Sequence, residues 1–306
     1  MKKIFVIPTV VLLSAVLLLT GCLERVEGSG EIETRKFGVG EFTRVVIGSA
    51  FDFEIIRSDS FDVSITADDN LFEHIRVTEE RGTLKIRMVS KIGLFSFFSI
   101  GRSTKSVSVR MPKLEGVDIS GSSRGTVSGF GAVDKLDIGV SGSSELTLPD
   151  MNAGETDIDV SGASKLSLGG KSEGLDISGS GSSDIMMNSV ETAKADISLS
   201  GASRINGAIE IAGDLGLKLS GSSDANLSGS AGDVTIEASG ASVAGLSGMT
   251  VDNADVTLTG SSDARLKTDG RLDIDLSGAS SLHYTGEPTL GEIRLSGSSD
   301  IKNENQ

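Results

Sequence analysis

The sequence has little of what most enzymes and nucleic-acid-binding proteins depend on. Its 306 residues include no tryptophan, one tyrosine, four prolines and two histidines. The 28 Lys and Arg residues are outnumbered by 43 Asp and Glu residues, and a net charge of −15 argues against binding to nucleic acid. One cysteine excludes an intramolecular disulfide. Because 38% of the residues are hydrophobic and 39 are glycine, the composition indicates a folded β-rich chain with many turns.

Residues 1–21 have the pattern of an export signal. Two lysines follow Met1, and an apolar run extends from Ile4 to Thr20. The run ends at Leu19-Thr20-Gly21-Cys22, which resembles the lipobox of bacterial lipoproteins. We therefore expect Cys22 to become the lipidated first residue of an exported protein, anchored to the outer membrane or cell surface. A transmembrane anchor is the alternative, although the run is short for a bilayer span.

An internal repeat dominates residues 116–300. The tetrapeptide Ser/Thr-Gly-Ser/Ala-Ser, called the corner from here on, occurs ten times at intervals of 18 to 21 residues. The corners begin at Ser120, Ser141, Ser161, Ser180, Ser200, Ser220, Ser239, Thr259, Ser277 and Ser296. A fixed period of about 20 residues is the signature of a solenoid, in which each repeat buries its apolar face against the next.

Alternating apolar residues precede each corner. Leu136, Ile138 and Val140, for example, are separated by Asp137 and Gly139, which is the period of a half-buried strand. Stacked strands of this kind predict an all-β fold, a single-stranded parallel β-helix of about ten turns. The variation in turn length favours a right-handed coil. Glycine at the second corner position permits a positive φ, and the flanking serines can bond to the backbone at the bend.

The chain divides into five predicted parts. Residues 1–21 are the signal peptide, and residues 22–36 form a polar tether. Residues 37–115 form a β-rich N-terminal cap with three strands and a helical turn after Asp68, as expected for covering an open end of a β-helix. Residues 116–300 are the β-helix repeats. Residues 301–306 form a polar tail.

Several segments resemble the head GIN domain family, described as autotransporter adhesin heads. These are Ile47-Gly48-Ser49-Ala50-Phe51-Asp52-Phe53-Glu54-Ile55, Ala67-Asp68-Asp69-Asn70-Leu71, Gly82-Thr83-Leu84-Lys85-Ile86, Val109-Arg110-Met111-Pro112-Lys113-Leu114 and the corners. The resemblance extends from about Phe37 to Asp300. It implies a surface adhesin, and it supplies no reaction, cofactor or set of functional residues.

Two groups of residues are candidates for binding. Asp137, Asp157, Asp176 and Asp196 stand at the same place before successive corners, where stacked carboxylates could hold Ca²⁺, although a solvated charged face is the favoured interpretation. Leu94, Phe95, Phe97 and Phe98 belong to the apolar stretch 92–100. This stretch either forms an interaction loop for a membrane or partner, or plugs the end of the core, which is the favoured interpretation.

Catalysis is poorly supported by the sequence. Glycoside cleavage needs two positioned carboxylates, usually beside aromatic platforms, and Tyr284 is the one tyrosine. His74 and His283 are far apart in sequence, and no nucleophile motif is recognisable. We therefore predict a non-catalytic, surface-exposed lipoprotein that binds a glycan or surface protein through a repetitive β-helix face. No cofactor or nucleic acid is expected. The alternatives are a carbohydrate-active enzyme and an envelope-stress scaffold.

Overall fold

The computed structural model describes residues 24–89, 98–100 and 103–305, with the backbone alone described at 24–26 and 98–100. Within these residues one 3-10 helix, Asp69–Leu71, interrupts a chain of β-strands. The strands are β1 Glu24–Val26, β2 Ile32–Phe37, β3 Arg44–Ile47, β4 Asp52–Arg57, β5 Asp62–Asp68, β6 Ile75–Glu80, β7 Thr83–Met88, β8 Phe98–Ile100, β9 Lys105–Met111, β10 Gly116–Ile119, β11 Arg124–Ser128, β12 Val133–Val140, β13 Glu145–Val160, β14 Lys165–Gly179, β15 Asp184–Leu199, β16 Arg204–Ile211, β17 Leu215–Leu219, β18 Asp224–Ala238, β19 Val243–Leu258, β20 Asp263–Thr268, β21 Arg271–Leu276, β22 Ser281–Thr285, β23 Thr289–Leu295 and β24 Asp300–Asn303.

From β10 onward the chain is a parallel β-solenoid, as the repeat predicts. Each strand pairs in parallel with the strand one turn later, so that Asp137, Asp157, Asp176 and Asp196 occupy one register position on four successive turns. The predicted β-helix is therefore confirmed, with about nine turns rather than ten. Ten corners enclose nine complete turns, which accounts for the difference. The right-handed coil stays a prediction.

Alternation within each strand builds the core. In β13, the side chains of Leu146, Leu148, Ile158 and Val160 point inward and are at most 3% exposed, whereas Asp159 is exposed. Because each turn repeats this pattern, one continuous apolar column runs along the coil. Full burial of such an aliphatic side chain contributes roughly 1.5–3 kcal/mol to folding, and no single turn could bury these residues alone.

The N-terminal part adds two turns and then covers them. The first turn consists of β3 and β4, which pair in parallel with β10 and β11 on one side and with β7 and β9 on the other. Strand β6 pairs antiparallel with β7, while β5 pairs antiparallel with β9 and β2. A change from parallel to antiparallel pairing thus ends the coil at this side.

Much of the segment expected as a tether is in contact with the cap. Strand β2 is an outer strand of the sheet. The residues just before β2 form hydrogen bonds with residues in and next to the 3-10 helix. The buried carboxylate of Asp68 accepts hydrogen bonds from the backbone N–H groups of Gly30 and Thr104, both at 2.8 Å. The N–H of Ser29 donates to the side-chain oxygen of Asn70 at 3.1 Å. These bonds fix the direction in which the chain enters the cap.

Candidate functional site

The corners form a continuous ladder of tightly stacked backbone. In all ten of them the glycine has a φ between 65° and 80°. From Ala163 onward, the N–H of the third corner residue donates to the carbonyl of the preceding turn's corner glycine, as in Ala163 to Gly142 at 2.8 Å. A Cβ on Gly162 would lie 2.4 Å from that same carbonyl oxygen. The positive φ predicted for these glycines is confirmed, and close stacking is a second reason for glycine.

The first and the fourth residue of each corner face different surroundings. The fourth corner residue is buried in every corner but the last, where Ser299 is partly exposed. Ser203 is a typical case: it has no exposed surface, and its hydroxyl donates to the carbonyl of Ser200 at 2.8 Å. The first corner residue is at least partly exposed, and its hydroxyl lies at the edge of the coil. Repetition therefore gives one hydroxyl ladder inside the molecule and another on its surface.

A groove of about 660 Å³, called the serine groove from here on, follows the outer hydroxyl ladder across six successive turns. Its lining consists of the first corner residue and the two residues before it, from Asp159–Ser161 to Thr257 and Thr259. The hydroxyls of Ser200 and Ser220 point to carbonyls of the preceding turn at 3.4 Å, which leaves their lone pairs available to a ligand. Leu199 and Leu219 are buried beneath these hydroxyls. The groove is thus a row of hydroxyl acceptors on an apolar floor, with a spacing of about 4.8 Å between turns.

Among the described residues, the groove carries few charges, and the one lysine is paired with a carboxylate. Lys218 Nζ and Glu237 Oε2, on adjacent turns, are 3.7 Å apart, and both side chains are more than half exposed. Asp159 adds one carboxylate at the N-terminal end of the groove. A polyanion would find one lysine opposed by two carboxylates. The groove therefore suits a neutral polar ligand better than an acidic one.

A second groove of about 990 Å³ follows another side of the same turns. Its lining carries carboxylates at Asp134, Glu155, Glu173, Glu191 and Glu210, with Lys171 as its basic residue. Ser172 and Thr192 are buried, and their hydroxyls donate to the backbone carbonyls of Gly174 at 2.6 Å and Lys194 at 2.8 Å, respectively. This groove is larger but acidic, and it presents fewer free hydroxyls. Neither groove can be predicted from the sequence, because concavity depends on how the walls of the coil meet.

The predicted aspartate row is real, but its members differ in surroundings. At its N-terminal end Asp137 is 2.7 Å from Arg44, and Lys135 lies 3.3 Å from Asp137 and 2.5 Å from Asp157. Burial raises the pKa of Asp137, but hydrogen bonds from Arg44 and Lys135 outweigh it and hold that pKa below its usual value. Basic side chains thus neutralise this end of the row.

Further along the row, neighbouring aspartates repel one another. Partial burial, together with the neighbouring charges of Asp157 and Asp196, raises the pKa of Asp176. No three His, Cys, Asp or Glu side chains in the described parts of the chain are grouped closely enough to hold a metal ion. The Ca²⁺ site at Asp137, Asp157, Asp176 and Asp196 stays a prediction.

The remaining sequence candidates lie apart from the groove. His283 pairs with Glu304, 2.7 Å away, near the last turn, and His74 is buried in the cap. The structure therefore does not bring the two histidines together. Cys22, Leu94, Phe95 and Phe97 lie outside the described residues, and Phe98 is described only through its backbone, in β8. Strand β8 pairs in parallel with β1, placing Phe98 opposite Glu24, two residues after Cys22.

The comparisons agree with this architecture. A sequence profile described as “putative auto-transporter adhesin, head GIN domain” matches residues 41–207 and 187–288. The chain belongs to the head GIN domain family. The predicted resemblance is therefore confirmed, and with it the assignment to an adhesin-like family. Among curated proteins, no sequence matches the chain.

Solved structures share the fold of this family member. A “putative lipid binding protein” from Parabacteroides distasonis is 19% identical, with a TM-score of 0.54, and the alignment covers 92% of this chain and 99% of that one. A “putative adhesin” from Parabacteroides merdae is 18% identical, with a TM-score of 0.53 and coverage of 91% and 98%. At these identities the similarity shows the fold alone. No helix in the described residues has the length and apolarity needed to span a bilayer.

Proposed function

We propose that this chain is a non-catalytic adhesion module of the bacterial envelope, anchored through lipidated Cys22, and that it binds a neutral glycan chain along the serine groove. The observation that carries the proposal is the ladder of surface hydroxyls repeated over six turns. A polymer with repeating hydroxyl groups can donate to one rung after another, and many weak contacts then add up to a useful affinity. Membership of an adhesin-like family also supports a role in adhesion.

The geometry of the groove also supports a binding role rather than cleavage. Its two carboxylates, Asp159 and Glu237, are separated by four steps of the parallel ladder, through Ser178, Ser198 and Lys218. Four steps correspond to about 19 Å. Glycosidases place their two carboxyl groups within roughly 5–9.5 Å of each other, so this pair is too far apart to act on one glycosidic bond.

A substitution in the groove tests the proposal. Ser198 is an exposed groove residue, and Ser198→Arg places a bulky cation among the hydroxyls without touching the core. The matched control is Ser247→Arg, an exposed serine in β19 outside both grooves. We expect a neutral envelope glycan to raise the melting temperature of the wild type and of the control, and to leave that of Ser198→Arg unchanged. Equal shifts in all three proteins would contradict the proposed site, and release of shorter sugars would contradict a non-catalytic role.

A further inference from the structure

The last turn of the coil exposes residues that every earlier turn buries. Leu290, Ile293 and Leu295 are 47%, 44% and 51% exposed. Their ladder partners in the preceding turn, Leu272, Ile274 and Leu276, are at most 3% exposed. Among the described residues, β23 pairs only with β21 and β24 only with β22. In the part of the chain that the structure describes, the C-terminal end of the coil is therefore an apolar strand edge without a cover.

In β23, the backbone groups that point away from the preceding turn are free to form hydrogen bonds. The N–H of Ser296 donates back to Leu276 at 2.9 Å, and the N–H of Glu292 donates back to the side chain of Asp273 at 2.7 Å. Successive residues of a strand direct their N–H and C=O groups to opposite sides. The N–H and C=O of Ile293, which lies between them, consequently point out of the open end.

The charges on the two sides of Ile293 have opposite signs, so this strand is complementary to a second copy of itself. Glu292 precedes it and Arg294 follows it, and both side chains are more than half exposed on the outer face. If a second β23 pairs antiparallel with the first about Ile293, each Glu292 stands opposite the other copy's Arg294. Opposite charges facing each other across antiparallel strands stabilise the pairing, whereas a parallel or shifted register loses this match. Within one chain Arg294 also contacts Glu292 at 2.6 Å and Asp275 at 3.5 Å, so pairing would extend an existing charge network.

We propose that the open C-terminal edge binds a second copy of this chain, with β23 paired antiparallel to its counterpart and Ile293 on the two-fold axis. Ile293 then exchanges two backbone hydrogen bonds with its counterpart, and the exposed leucines of both last turns are covered. Because a two-fold interface uses the same edge on both copies, the association stops at a dimer instead of growing into a fibre. This inference does not depend on the ligand of the serine groove.

Charge reversal tests both the interface and its register. The protein is the mature chain, residues 22–306, with Cys22→Ser so that lipid does not drive association. Sedimentation velocity over a range of concentrations should show a monomer–dimer equilibrium. Glu292→Lys and Arg294→Glu should each weaken dimerisation by about ten-fold or more, since each places like charges opposite one another twice in the symmetric pair. Combining both substitutions restores opposite charges and should restore the dimer.

The controls make each result decisive. Lys267→Glu reverses an exposed charge in β20, away from the edge, and should leave dimerisation unchanged. Circular dichroism checks that every variant keeps its β-structure, and because the substituted side chains are exposed we expect no loss of fold. A wild type that is monomeric at all concentrations would overturn the proposal. So would single reversals that dimerise normally, or a folded double variant that does not regain dimerisation.

Discussion

At the scale of single residues, each corner glycine satisfies two separate requirements. Its φ lies in a region that other L-residues adopt at a cost of about 1–2 kcal/mol. Its missing side chain also leaves room for the carbonyl of the preceding turn's glycine. The sequence predicted the first requirement from the position of glycine at a bend. The second depends on the distance between stacked turns, which the repeat pattern does not contain.

The two requirements predict a large effect of one methyl group. In Gly201→Ala the new Cβ would lie 2.6 Å from the oxygen of Gly181, at a φ of 74°. We expect this change to lower the free energy of unfolding by about 2 kcal/mol or more, from the left-handed conformation together with the contact. Gly131→Ala is the control, because no atom lies within 4 Å of its Cβ, and it should stay within about 0.5 kcal/mol of the wild type. Urea denaturation of both variants measures the difference, and equal stabilities would contradict the stacking argument.

The buried serines of the corners are not energetically equal. Ser203 donates to the carbonyl of Ser200, but the equally buried hydroxyls of Ser144, Ser164 and Ser183 have no hydrogen-bond partner. The sequence predicted that corner serines bond to the backbone at the bend. It could not distinguish these positions, because all four belong to the same tetrapeptide.

This difference predicts opposite outcomes for one substitution at two sites. Ser203→Ala should lower the free energy of unfolding by about 1 kcal/mol, since a buried hydrogen bond is lost. Ser183→Ala should be neutral or slightly stabilising, because it removes a buried polar atom that has no partner. Thermal melting of the two variants in parallel provides the measurement. A loss of similar size at both positions would show that Ser183 does form a hydrogen bond in the folded protein.

At the scale of elements, the aspartate row places like charges on adjacent strands, and their repulsion reduces the stability of the fold. Asp157, Asp176 and Asp196 stand on adjacent strands, and no basic side chain lies within ion-pair distance of Asp176 in the described residues. Because the pKa of Asp176 is raised in the folded state, its charge is less favourable there than in the unfolded chain. The charge therefore reduces stability at neutral pH, and the reduction disappears as the pH falls through the raised pKa.

Removing this charge should stabilise the protein in a pH-dependent way. Asp176→Asn is expected to raise the free energy of unfolding at pH 7 by a few tenths of a kcal/mol, at most about 1 kcal/mol, because the group is only partly buried and solvent screens its charge. The gain should vanish below about pH 4, where the wild-type carboxyl is protonated. Asp263→Asn is the control, since its ladder neighbours Val243 and Ser281 carry no charge. Millimolar Ca²⁺ that stabilised the wild type but not Asp176→Asn would instead favour a metal site.

The repeat and the cap were predictable from sequence to different degrees. Within the repeats, the alternation of Leu136, Ile138 and Val140 predicted inward faces, and these side chains are buried as expected. In the cap, the sequence predicted three strands, but the structure divides the first of them, residues 45–56, into β3 and β4 and adds β6 and β9. The pairing of β7 with β3 and of β5 with β9 was not predicted. Local pattern indicates that a strand forms, whereas its partners depend on contacts between residues distant in the chain. The grooves were missed for the same reason.

At the scale of the whole molecule, the two ends of the coil differ in what they can contact. Strand β1 begins two residues after Cys22 and contacts β8, which precedes β9 in the outermost N-terminal turn. A lipid on Cys22 would therefore place the capped end near the membrane and the open end, with β23, away from it. The serine groove lies between these ends.

The anchor itself is open to a direct test. Cys22→Ser removes the acceptor of the lipid, and we expect the protein to move from the membrane fraction to the soluble fraction of cells that express it. Lys171→Ala, an exposed charge on the repeats, should leave the distribution unchanged. Incorporation of labelled fatty acid into the wild type but not into Cys22→Ser completes the measurement. Membrane association of Cys22→Ser at the wild-type level would contradict lipid anchoring.

The dependence of affinity on glycan length is the sharpest test of binding along the serine groove. Titration calorimetry with neutral oligosaccharides of increasing length would measure it on the mature chain. If the hydroxyl ladder binds one rung after another, affinity should rise with length and level off once the ligand spans the six turns, about 24 Å. Ser198→Arg should flatten this dependence, and Ser247→Arg should preserve it. An affinity that is the same for the shortest and the longest glycans, or unaffected by Ser198→Arg, would contradict binding along the groove.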